Sequence, residues 1–291
     1  MRDRGKNGFL TSIPRCTGRL AVVILLVLAT AHAVEPDPSS LDRGFRRLYD
    51  LDFTGAQKEF ETWEQENPGN PMGPIGQASG VLFSELNRLG VLESQFYESD
   101  SAFSGRKKYQ ADAEQRARFE EQLARGETLA KTRLTHDAHD RDALLGMTVA
   151  AGLRADYAAL IEKRSLASLH YTKESSAWAD QLLAAHPTCH DGRLAGGISQ
   201  YIVGSMAAPV RWFLRLGGVP GDKAHGIAEL QATAAQGRLL APFARILLAI
   251  AYVRAKDVPR AREELLSLQK DFPNNQLFPR ELARLEKSGT P

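Results

Sequence analysis

The chain has 291 residues, 43% of them hydrophobic and 25% charged, with 37 Lys+Arg against 35 Asp+Glu and a formal net charge of +2. Five basic residues and one acidic residue, Asp3, lie within the first 33 positions, so the other 258 residues carry 32 basic and 34 acidic groups, a net charge of −2. The basic excess therefore belongs to one end of the chain. That excludes the clustered positive face of a nucleic-acid-binding protein, and no nucleic-acid partner is expected.

Arg2, Arg4, Lys6, Arg15 and Arg19 precede an apolar run, LAVVILLVLATA, from Leu20 to Ala31. Ala31-His32-Ala33 then offers the small-x-small pattern read by signal peptidase, and the prolines at 36 and 38 end any helix. Residues 1–33 read as a signal peptide cleaved between Ala33 and Val34, which predicts an exported protein, periplasmic or secreted. The run is short beside the ~20 residues of a membrane span, so no stable span is expected after cleavage. An uncleaved N-terminal anchor is the rival reading. Cys16 lies ahead of the apolar run, where a lipoprotein cysteine would not, and leaves with the leader. Cys189 then stands alone and no intramolecular disulfide is possible.

From Ser39 onward the periodicity is helical throughout, and residues 34–291 read as one domain. Ser39 or Ser40 caps a helix reaching Asp50. A second spans Thr54–Asn67 and stops at Pro68-Gly69; a third covers Met72–Leu89. The polar stretch Ser99–Gly105 predicts a loop before a long charged helix, Tyr109–Leu134. Asp140–Arg154 and an overlong Tyr157–Ala185 come next, closed by Pro187. A helix follows Asp191, expected to be its cap, and runs to Met206. Pro209 and Gly217–Gly221 interrupt the region of Trp212, which is expected to be buried. Helices over Lys223–Gln236, Leu239–Arg254, Pro259–Asp271 and Pro279–Lys287 finish the chain.

Two clusters carry metal-ligating or nucleophilic side chains. His136-Asp137-Ala138-His139-Asp140-Arg141-Asp142 crowds two imidazoles and three carboxylates into seven residues, and His136, His139 and Asp140 would be the ligands of a divalent ion. Its HxxH spacing lacks the one-turn separation and general base of HExxH. Acidic residues there also suit a helix start without any metal. His186–Asp191 places Cys189 before His190, but His186 stands where haem attachment needs a first cysteine. There is no GxSxG, GxxxxGK[ST] or strand-linked GxGxxG pattern. No catalytic residues and no cofactor are expected.

The recurrent spacing lies elsewhere. Leu248-Ala249, Tyr252, Ala261, Leu265 and Pro273 form one set; Gly44, Phe53, Ala56, Phe60 and Pro68 form another, with equal distance from small residue to proline. Ser175, Ala179, Leu182 and Pro187 echo the second half, and Leu145-Gly146 the first. These sets resemble the tetratricopeptide repeat, clearest over about residues 38–70 and 242–275. The resemblance implies an all-α, right-handed stack of antiparallel helix pairs, with elongated central helices, that serves as a scaffold for a protein or peptide partner. Carried over by position, the concave face would hold Leu41, Phe45, Leu48 and Tyr49, then Phe243, Ile246, Ile250, Val253 and Arg254. Phe45, Tyr49 and Arg254 are the candidate partner contacts, although apolar residues at helical spacing also suit a core.

Overall fold

Ser39 opens the first helix through a capping box, in which its Oγ accepts the N–H of Asp42 and the Asp42 carboxylate accepts the N–H of Ser39. The computed structural model describes residues 37–93, 109–206, 208 and 221–288. The leader with its Ala33–Val34 junction, the Ser99–Gly105 loop and the segment around Trp212 lie outside the described residues. Among those described, every regular element is helical. The α-helices are α1 (Ser40–Tyr49), α2 (Phe53–Glu66), α3 (Met72–Arg88), α4 (Ala113–His136), α5 (Arg141–Asp156) and α6 (Ser165–Ala185). They continue with α7 (Arg193–Ser205), α8 (Lys223–Gln236), α9 (Ala241–Arg254), α10 (Val258–Asp271) and α11 (Leu277–Ser288).

The helices pack as hairpins, α1 on α2, α3 on α4, α5 on α6, α7 on α8 and α9 on α10, with each hairpin resting on the next. First helices also meet directly, α1 with α3 and α3 with α5. All belong to one compact unit, Pro38–Pro291. The elongated central helices are α4 and α6, of 24 and 21 residues.

A common frame unites the five second helices. Each has a small buried residue where its partner crosses closely: Ala56, Gly126, Ser175, Gly226 and Ala261. One turn later comes a buried residue, in order Phe60, Ala130, Ala179, Leu230 and Leu265. The helix ends at the same offset in all five, with C-caps Asn67, Asp137, His186, Gly237 and Phe272. Each C-cap N–H donates to the carbonyl four residues back. The first and last hairpins also share their inner turn. Leu51 and Lys256 take left-handed φ of 61° and 58°, while Asp52 and Asp257 cap the helices that follow.

Three boundaries differ from expectation. Tyr157–Ala185 is not one helix: α5 runs on through a π-helical turn, Tyr157–Ile161, and then breaks. Lys163 at φ 57° turns the chain, Glu162 N–H donates to Tyr157 O, and Arg164 N–H donates to Ala158 O. That is a left-handed helix ending of the kind usually built on glycine. The charged helix starts at Ala113 rather than Tyr109 because Asp112 accepts the N–H groups of Glu114 and Gln115. Asp191 does not cap α7; it lies in a 3-10 turn, His190–Gly192, and its carboxylate serves a different helix start.

Candidate interaction surface

The expected groove is filled from within. Every residue of α3 from Met72 to Leu82 is buried, as is every residue of α5 from Ala143 to Thr148. The stretch Arg141–Ile161 is long and apolar enough to cross a membrane by composition, yet 67% of its 18-residue apolar window is buried inside the protein. It is a core helix in this structure.

Phe45 is 3% exposed and meets Phe60 edge-on at 5.3 Å. The Phe60 ring is held between Gly44 and Gly76, where a Cβ would come within 2.4 Å and 2.6 Å of it. Tyr49, 7% exposed, packs on Phe272 at 5.7 Å and donates its hydroxyl to Leu239 O at 3.0 Å. Burial, with the charge of Asp191 adding, pushes the Tyr49 phenol pKa upward. Leu41 and Leu48 are equally buried, and Phe243 of α9 meets Phe83 of α3 at 5.7 Å. Phe45 and Tyr49, expected to face a partner, are thus covered by the protein's own helices. Arg254, at the end of α9, is exposed.

The turns that lead from each second helix into the next hairpin are joined by polar bonds. Asn70 Nδ2 donates to Asp142 at 2.7 Å. His186 Nε2 donates to His139 O at 2.6 Å. The Asp191 carboxylate, 2% exposed, accepts the N–H groups of Arg238, Leu239 and Leu240 at 2.9, 3.2 and 3.0 Å, capping α9 from a distance. Arg238 reaches on to Asp42. Burial alone would raise the Asp42 pKa, but hydrogen bonds from Arg238 and Ser39 hold it below the usual carboxylate value. Around these turns Leu41, Trp63, Met72, Arg141, Asp142 and Arg238 line a cavity of about 100 Å³, well below the ~300 Å³ at which ligand pockets begin.

Both chemistry-bearing clusters are part of this polar edge. His136, Asp137 and His139 are exposed. Asp140 caps α5 by accepting the N–H of Ala143, and Arg133 binds its other oxygen at 2.7 Å. Burial opposes the charge of Asp140, and those two partners outweigh it, so its pKa is lowered. Among the described residues no three His, Cys, Asp or Glu side chains converge on a point where a metal would sit. Cys189 is buried, and burial pushes its thiol pKa up despite the neighbouring Arg141. An exposed, low-pKa thiolate is what nucleophilic chemistry needs, and this site supplies neither property.

Among solved structures, the chain is similar to a thermophilic TPR protein of Thermus thermophilus, with 14% identity and a TM-score of 0.45. The match covers 85% of this chain and 97% of that one. No family model and no curated protein matches the chain. The fold is tetratricopeptide-like. The five-fold frame of the second helices carries that assignment, independently of the structural likeness.

Proposed function

We propose that the protein is an exported, non-enzymatic scaffold that binds a protein or peptide partner in the cell envelope. The observation that supports this most is the shared frame of the five second helices. Hairpins in one register set their outer faces and turns side by side, so that exposed side chains of successive units form one continuous surface. Export rests on the leader sequence, Arg2 to Ala33.

Because the first helices cover one another, the partner contact is assigned to the exposed outer surface, with Arg254 as its candidate anchor. Phe45 and Tyr49 act behind it by fixing α1 in place. A photo-crosslinking residue at position 254, introduced in native cells, should trap a discrete envelope protein, and the same residue at the exposed Glu121 of α4 should not. Equal labelling from both positions, or none from 254, overturns the contact. N-terminal sequencing of the purified protein should begin at Val34; an intact Met1 refutes cleavage.

A further inference from the structure

We draw no further inference here: the strongest candidate, the small cavity where the first and last hairpins meet, walled by Trp63, Arg141, Asp142, Asp191 and Arg238, carries nothing because its charged walls are already bonded within the protein, Arg238 to Asp42, Asp142 to Asn70, Asp191 to the start of α9 and Arg141 to Cys189.

Discussion

At the residue scale, Tyr49 shows how a side chain suited to a partner becomes structural. Its ring is buried against Phe272, its hydroxyl bonds Leu239 O, and its own carbonyl accepts Asn275 Nδ2. Tyr49→Phe removes the hydroxyl and leaves the buried Leu239 carbonyl without that donor, a loss of about 1–3 kcal/mol. Thermal unfolding should show that loss, while crosslinking from position 254 should persist at temperatures where the variant is folded. Asp156 makes a second case. It precedes the π-helical turn, and burial pushes its pKa from 3.8 up to about 7. The folded carboxyl therefore keeps its proton more tightly than the unfolded one. Its contribution is favourable at low pH and is lost as pH rises from about 4 through 7. Asp156→Asn stays neutral, so it should be more stable than the parent at pH 8, with the difference shrinking toward pH 4. A difference in melting temperature that is constant across this range would contradict the assignment.

At the element scale, close helix crossing decides which positions must be small. Gly226 in α8 faces the backbone of α7, and a Cβ there would lie 2.4 Å from Tyr201 N and 2.8 Å from Gly197 O. Backbone cannot rotate away as a side chain does. Gly226→Ala should destabilise by about 1–3 kcal/mol, although alanine favours helix by about 1 kcal/mol. Gly196, in α7, has nothing within 4 Å of an added Cβ, so Gly196→Ala should stabilise by up to about 1 kcal/mol. Denaturant titration of the pair separates packing from propensity. The same positions explain what sequence reading captured. Ala56 and Ala261 stand out because Pro68 and Pro273 mark the following turn at equal distance. Gly126 and Gly226 hold the equivalent place, but Ala138 and Arg238 replace the proline, and glycine inside a helix reads as a breaker. The break at Lys163 was illegible for the opposite reason. A lysine occupies the left-handed position where glycine would have announced the turn.

At the scale of the whole molecule, the fold class was legible because apolar residues at helical spacing need only a neighbour to cover them. Which neighbour covers them was not. Phe45, Leu48 and Tyr49 have the same one-dimensional pattern whether they face a partner or α10, since that choice depends on contacts such as Tyr49–Phe272 between residues far apart in the chain. Those contacts change how the stack should unfold. In an open stack each hairpin touches only its neighbours, so the end units fray first. Here α1 is bound to the far end. Arg46 donates to Asp271 O, Asp50 accepts the N–H and the side-chain N–H of Asn274, and Arg238 clasps Asp42. The first and last hairpins should therefore open together. Hydrogen exchange should give α1 and α10 similar protection, and Asp50→Ala should lower both while leaving α4 unchanged. Fast exchange of α1 alone, with α10 still protected, would mean that the seam contributes no coupling and that the chain behaves as an open stack.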